Sequence, residues 1–114
     1  MSFSVEPDSD PRTFRLLGEL DLATEGRLMQ RLGPSLNGPG DLHLDLQGLE
    51  FMDSTGIHIL IKLIRRLGDR GRVVLRSPTG EVARVLDLVG AEGFPNVIVE
   101  GKGDGSPMAL SAKA

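Results

Sequence analysis

Residues 45–60 read DLQGLEFMDSTGIHIL and join two different hydrophobic patterns. The preceding segment DLHLDLQ (41–47) alternates apolar and polar residues, a spacing that predicts a β-strand buried on one side. From about Ser54 to Gly68 the apolar residues recur at helical spacing, and the glycine predicts the end of that helix. Either Asp53 or Ser54 is expected to cap it. The stretch therefore predicts a strand that passes almost directly into a helix.

The rest of the chain shows the same succession of short strands and helices. Helices that connect strands indicate right-handed crossovers and parallel pairing, whereas the first two strands are joined by a short turn and predict a hairpin. The fold class expected is α/β, a small mixed β-sheet of about four to five strands with three to four helices packed on it. The segment GLEFMD (48–53) is expected to be the exit of the third strand, with Phe51 and Met52 anchoring its end. The predicted strands cover residues 2–7, 12–20, 41–47, 72–76 and 94–100, and the predicted helices cover residues 21–35, 54–68 and 77–90.

The length of 114 residues predicts a single domain. We place this domain at residues 1–100. The last segment, GKGDGSPMALSAKA, is rich in small and polar residues, and we expect residues 101–114 to form a flexible tail.

Composition excludes several classes of function. The absence of cysteine rules out disulfides and thiol-based chemistry, and it fits a reducing compartment. The net charge of −3 and the presence of only four aromatic residues, all Phe, argue against direct binding of nucleic acid. The chain contains no apolar run of 18 residues, so we expect no membrane span. Its first residues do not resemble a signal peptide. A cytoplasmic protein is the expectation.

The second predicted helix has one residue that does not fit its pattern. Helical periodicity places Ile59 on the polar side, one turn beyond Thr55 and close to Ser54. Ile59 is then either an ordinary exposed apolar residue or a contact for a molecule that visits Ser54. The expected core face comprises Ile57, Leu60, Ile61, Ile64 and Leu67. The polar face comprises Lys62, Arg65, Arg66 and Asp69, with His58 at its edge.

Ser54 has several possible roles beyond capping the helix. A nucleophilic serine paired with His58 would need a third group to orient the histidine and donors for an oxyanion, and no G-x-S-x-G turn is present. A phosphate-binding loop would need more glycines than the single Gly56 and a lysine that the segment lacks. The sequence therefore favours neither of these two roles.

A third possibility is that Ser54 accepts a phosphoryl group from another enzyme. A hydroxyl at the start of a helix is accessible, and a phosphate adds about −1.5 to −2 charges. The helix N-terminus favours negative charge, so the fold need not change. A partner that presents carboxylates to this surface, or that excludes water from it, would not tolerate the added charge. Such a modification would act as a switch on binding.

Two motifs make the chain similar to a known family. GELD (18–21) precedes the first predicted helix, and DSTG (53–56) follows the apolar pair Phe51–Met52. Together they resemble the STAS domain, and within it the bacterial anti-sigma factor antagonists, over about residues 3 to 100. The resemblance implies that Ser54 is the phosphorylation site. It also implies a regulator of transcription that acts by partner switching, in a stress response.

The resemblance implies specific partners. The kinase is the anti-sigma factor itself, a histidine-kinase-like ATPase that phosphorylates serine, and a PP2C-type phosphatase reverses the modification. The unphosphorylated antagonist binds the kinase and frees the sigma factor. The protein would then be no enzyme, and we expect no catalytic residue, cofactor or metal, no contact with nucleic acid or membrane, and a monomer on its own.

The expected partner surface lies around the two motifs. The resemblance places Asp21 and the GELD loop in it, and His58 departs from the glycine that many relatives carry there. Two other functions stay open: a STAS scaffold, such as an adaptor subunit of a transporter or stress-sensing complex, and a binder of a nucleotide or small ligand. The residues that we assign to the partner surface are Asp21, Asp53, Ser54, Thr55, Gly56, His58, Ile59 and Lys62.

Overall fold

The computed structural model describes residues 3–8 and 10–101, and over these residues the chain forms one mixed sheet and three α-helices. None of the helices within these ranges combines the length and the apolar character of a membrane span. The tail that we predicted over residues 101–114 lies outside the described residues, except for Gly101. The strands are β1 (Phe3–Pro7), β2 (Thr13–Leu20), β3 (Leu42–Asp45), β4 (Leu49–Met52), β5 (Val73–Arg76) and β6 (Val97–Glu100), and the helices are α1 (Glu25–Leu36), α2 (Ser54–Leu67) and α3 (Gly80–Leu88).

The sheet has the mixed pairing that the sequence predicted. Its main path runs in the order β1-β2-β3-β5-β6, with an antiparallel β1–β2 hairpin and parallel pairing from β2 onwards. The predicted fold class is confirmed. The sheet has one strand more than expected, because the predicted strand exit is a strand in its own right: β4 pairs in parallel with the far end of β2.

A tight turn separates β3 from β4. The Leu49 N–H donates to the Leu46 carbonyl at 3.0 Å, and the Gln47 N–H donates to Asp45 Oδ1 at 2.9 Å. β2 is eight residues long, so it pairs with β3 over its first half and with β4 over its last residues. The alternation of the sequence does not show this interruption, because the turn contains a buried leucine that continues the apolar pattern.

The core lies between the helices and one face of the sheet. Leu42, Leu44 and Leu46 are completely buried, as their alternation predicted. On α1 the buried residues are Leu28, Leu32 and Leu36, which recur at helical spacing. The apolar stripes of strand and helix therefore determine which faces meet.

The other face of the sheet carries a row of alternating charges. Glu6, Arg15, Asp45, Arg76 and Glu100 occupy neighbouring positions in the registers of five strands. The outer pairs form ion pairs, Arg15–Glu6 at 2.9 Å and Arg76–Glu100 at 3.9 Å. Opposite charges on facing residues of adjacent strands favour this register over its neighbours.

The predicted start of α3 is wrong. We expected the helix to cover residues 77–90, but α3 begins at Gly80 with Thr79 as its N-cap. The reason is that the Ser77 N–H donates to the Glu100 carbonyl of β6 at 2.8 Å, which keeps Ser77 with the sheet and in a left-handed conformation with φ of 55°. The helix can start only after the chain has left the sheet.

Asp41 joins the start of β3 to the start of β5. Its Oδ1 accepts the Arg72 backbone N–H at 2.9 Å, and its Oδ2 accepts from the Arg72 guanidinium at 3.2 Å. These hydrogen bonds, the backbone one first, hold the pKa of Asp41 below its ordinary value, and partial burial opposes them only in part.

The lowered pKa of Asp41 predicts how its contribution to stability depends on pH. A carboxyl whose pKa is lower in the folded than in the unfolded chain stabilises the fold above the unfolded pKa, and this contribution is lost as the pH falls through the folded pKa. We expect acidification below about pH 4 to lower the free energy of unfolding more in the wild-type protein than in the Asp41→Asn variant. Urea denaturation at neutral and acidic pH measures the difference. Equal losses in both proteins would contradict the assignment.

Candidate functional site

The two motifs singled out in the sequence lie side by side at one edge of the sheet. β2 and β4 are parallel, and Leu20 pairs with Met52 at their ends. The two strands therefore end side by side. Asp21 is the residue that follows β2, and Asp53 is the residue that follows β4. Parallel pairing brings the GELD and DSTG segments together although 31 residues, 22–52, lie between them in the sequence.

Asp53 is the cap of α2. Its backbone is extended, and its Oδ1 accepts the Gly56 N–H at 3.0 Å. Ser54, the first residue of the helix, is exposed, and within the described chain its hydroxyl has no hydrogen-bond partner. The choice that the sequence left open is settled in favour of Asp53, and the Ser54 hydroxyl is not used to cap the helix.

Removing the Asp53 carboxylate should weaken the fold modestly. Loss of an N-cap oxygen typically costs about 1 kcal/mol of stability. We expect Asp53→Ala to lower the free energy of unfolding by about this amount, and Ser54→Ala to change it by much less. Urea denaturation of the two variants provides a direct comparison. A larger loss for Ser54→Ala than for Asp53→Ala would show that the serine caps the helix.

Asp21 does not begin α1, although we predicted a helix over residues 21–35. It caps a 3₁₀ turn at Leu22–Thr24, and α1 starts only at Glu25. Thr24 closes this turn, because its Oγ1 accepts the Asp21 N–H at 3.0 Å and lies 3.2 Å from the Glu19 carbonyl. Asp21 is thereby held at a fixed position beside the start of α2.

Two apolar side chains near the motifs are exposed, which the sequence did not predict. Leu22 is 73% exposed on the 3₁₀ turn, and Phe51 is 43% exposed on β4 opposite Glu19. We expected Phe51 to anchor the strand together with Met52, but only Met52 is buried. Successive residues of a strand point to opposite faces, so an adjacent apolar pair was itself a signal that one of the two faces outward.

The predicted position of Ile59 is wrong. Its side chain is only 1% exposed, and the next apolar residue on that side, Leu63, is also buried. The reason is that α1 packs on this side of α2: Lys62 Nζ lies 2.8 Å from Glu25 Oε2 on α1. Helical periodicity describes one buried face, whereas α2 has two neighbours, the sheet and α1. Ile59 is a core residue and not a contact for a partner.

The remaining residues of the predicted partner surface differ in accessibility. His58 is exposed on α2 four residues after Ser54, Thr55 is half-buried, and Lys62 is exposed but paired with Glu25. Gly56 is buried against the ends of β2 and β4, so it positions the helix and does not present a surface. The structure thus brings Asp21, Ser54 and His58 to one region of the surface and removes Gly56 from it.

Two arrangements that would support catalysis, a serine–histidine pair and a metal centre, are not formed by the described residues of this region. No hydrogen bond joins Ser54 to His58 among the residues described. In the same part of the chain, no group of three or more His, Cys, Asp or Glu side chains could hold a metal ion. What the geometry offers is an accessible hydroxyl between acidic side chains, at the positive end of a helix.

Comparisons with known proteins agree with this fold. A profile of the STAS domain matches residues 2–100. The Anti-sigma-B factor antagonist of Bacillus subtilis (strain 168) is 22% identical over 106 residues, which cover 90% of this chain and 95% of that protein.

Solved structures show the same architecture. An anti-sigma factor antagonist from Mycobacterium paratuberculosis superimposes with a TM-score of 0.67 at 26% identity, over 85% of this chain and 84% of that one. The Bacillus cell fate determinant SpoIIAA in its phosphorylated form superimposes with a TM-score of 0.61 at 21% identity, over 86% and 90% of the two chains. The sequence profile, the shared fold and the two adjoining motifs lead to one conclusion: this chain belongs to the STAS domain family, as its resemblance to anti-sigma factor antagonists had implied.

Proposed function

We propose that this protein is an anti-sigma factor antagonist that is switched by phosphorylation of Ser54. The unphosphorylated form binds an anti-sigma factor and releases the sigma factor, and the phosphorylated form does not bind. The observation that carries the proposal is the exposed Ser54 hydroxyl, which is free because Asp53 caps the helix. Relatives named as anti-sigma factor antagonists, and the phosphorylated form of SpoIIAA, support it.

The position of Ser54 suits a switch that acts on binding and not on folding. A phosphate at the first residue of α2 would face the unpaired N–H groups and the positive end of the helix dipole, which stabilise an anion. It would also add about two negative charges beside Asp53 and near Asp21. The fold can therefore accept the phosphate, while the charge of the surface changes sharply.

The surface around Ser54 has the composition of a docking site. Asp21 and His58 supply polar contacts, and the exposed Leu22 and Phe51 supply apolar ones. Interfaces are usually built from such a mixture of apolar anchors and surrounding polar groups. We assign Asp21, Asp53, Ser54, Thr55 and His58 to this surface, with Lys62 at its edge.

The proposal includes the enzymes that act on Ser54. The kinase is an anti-sigma factor with the histidine-kinase-like ATPase fold, and a PP2C-type phosphatase restores the hydroxyl. The protein itself is a cytoplasmic regulatory binding protein without catalytic activity and is a monomer when alone.

Transfer of phosphate from ATP tests the proposal. Incubation with a cognate anti-sigma kinase and ATP should add one phosphoryl group, at Ser54, and mass spectrometry of peptides identifies the residue. Ser54→Ala should abolish incorporation, whereas Thr55→Ala should retain it, because Thr55 is half-buried and lies one residue further into the helix. Phosphate on another residue would refute the assignment of Ser54. A stable complex without any phosphate transfer would favour a STAS scaffold.

A further inference from the structure

A cavity of about 580 Å³ lies at the end of α2 opposite Ser54. α2 has 14 residues, so the cavity and Ser54 are separated by roughly 20 Å along the helix. The volume is within the range of pockets that hold small molecules, roughly 300–1,000 Å³. Its walls come from the end of α2, from the turn that follows it, and from the segment that precedes β6.

The walls of the cavity are held in place by hydrogen bonds and close packing. Asn96 Nδ2 donates to the carbonyls of Ile64 and Gly68, at 2.9 and 3.0 Å, and so ties the end of α2 to the start of β6. Gly71 is packed so closely on Gly40 that a Cβ there would lie 2.1 Å from the Gly40 carbonyl oxygen. The cavity is therefore a preformed feature of the described chain.

The interior of the cavity is apolar, and only two of the charged side chains that line it form an ion pair with each other. Ile64, Phe94 and Pro95 supply apolar surface. Four charged side chains also line the cavity, and two of them, Asp41 and Arg72, neutralise each other in an ion pair at 3.2 Å. The other two are Arg65 and Asp69.

Arg65 and Asp69 are exposed and have no ion pair with each other or with any other described residue. Residues four apart on a helix often pair. Here α2 ends at Leu67, and Gly68 enters a turn with a positive φ of 59°, which takes Asp69 off the helical path. One positive and one negative group are thus left unmatched beside an apolar cavity.

We propose that this cavity binds a small zwitterion with an apolar side chain, such as a free aromatic or branched amino acid. The Arg65 guanidinium would pair with the carboxylate of the ligand and Asp69 with its ammonium group. The side chain of the ligand would pack on Phe94 and Ile64, where an aromatic ring finds favourable contacts. Binding of a ligand in this cavity would not depend on the function proposed for Ser54.

Three related compounds test the inference by NMR titration of the ¹⁵N-labelled full-length protein. L-phenylalanine carries both charges, 3-phenylpropionate lacks the ammonium group and phenethylamine lacks the carboxylate. At millimolar concentrations we expect L-phenylalanine to shift the amide signals of Gly68, Gly71 and Asn96. Each of the other compounds should bind about fivefold more weakly, since one ion pair at a surface is worth up to about 1 kcal/mol.

Two variants assign the charges. Arg65→Gln should remove the preference for L-phenylalanine over phenethylamine, and Asp69→Asn should remove the preference over 3-phenylpropionate. Arg31→Gln and Glu50→Gln, which alter exposed charges away from the cavity, should leave both preferences unchanged. Absence of shifts with L-phenylalanine, shifts elsewhere, or equal binding of all three compounds would overturn the inference.

Discussion

The Ser54→Asp variant is expected to bind its anti-sigma factor about 100-fold more weakly than the wild-type protein. Ser54 is exposed at the start of α2, between Asp53 and the turn that holds Asp21. Another carboxylate at this point increases the negative charge of the docking surface. Unfavourable juxtaposition of like charges in an interface costs several kcal/mol, and a factor of 100 corresponds to about 2.7 kcal/mol. Isothermal titration calorimetry of the two proteins against the same partner measures the ratio.

Two controls separate charge at Ser54 from other effects. Ser4→Asp makes the same substitution at another exposed serine, on the edge strand β1, and should leave binding unchanged. Ser54→Ala removes the hydroxyl without adding charge and should retain binding within a few-fold. All three variants should unfold at nearly the wild-type denaturant concentration. Wild-type affinity in Ser54→Asp would contradict the proposed switch, because the added charge would then lie outside the interface.

Gly56→Ala is expected to lower the free energy of unfolding by about 2–3 kcal/mol, at the upper end of the cost of overpacking. A Cβ at this position would lie 2.4 Å from Met52 Cγ and 2.6 Å from the Leu20 carbonyl oxygen. Met52 is 2% exposed and has little room to move, and the Leu20 carbonyl belongs to the strand that pairs with β4. The start of α2 would have to move away from the sheet. Chemical denaturation monitored by circular dichroism measures the loss.

Gly26→Ala is the matched control for this prediction. Gly26 also lies in a helix, α1, but a Cβ there would have no atom within 4 Å. Alanine favours helix over glycine by up to about 1 kcal/mol, so Gly26→Ala should stabilise the protein. Both substitutions gain the same helix propensity, and only Gly56→Ala meets a neighbour. A Gly56→Ala variant as stable as the wild-type protein would show that the contact with the sheet is looser than the structure indicates.

The expected effect of Gly56→Ala also concerns the function of the site. Gly56 allows the first turn of α2 to approach the end of β2 closely, and this approach sets the position of Ser54 relative to Asp21. From the sequence we assigned Gly56 to the partner surface, which would require open space beside it. The structure shows that the space is occupied by Leu20 and Met52 of the protein itself.

Features that depend on neighbouring residues along the chain could be predicted from the sequence. Alternation in residues 41–47 predicted the buried leucines of β3, and helical spacing with a terminal glycine predicted the extent of α2. The DSTG tetrad identified the start of that helix and the serine presented there. These features follow from local backbone preferences, from capping and from the periodicity of apolar residues, all of which are encoded within a few residues.

Which side of each element is covered could be seen only in the folded structure. Ile59 is buried because α1 lies against α2, Phe51 is exposed although it is apolar, and Ser77 remains with the sheet because β6 accepts its N–H. The choice between Asp53 and Ser54 as the cap was also decided there, by the hydrogen bond of Asp53 to Gly56. A periodic pattern shows which residues are apolar. Whether an apolar residue is buried depends on a neighbour that is distant in the sequence, and that neighbour comes into place only when the helices pack on the sheet.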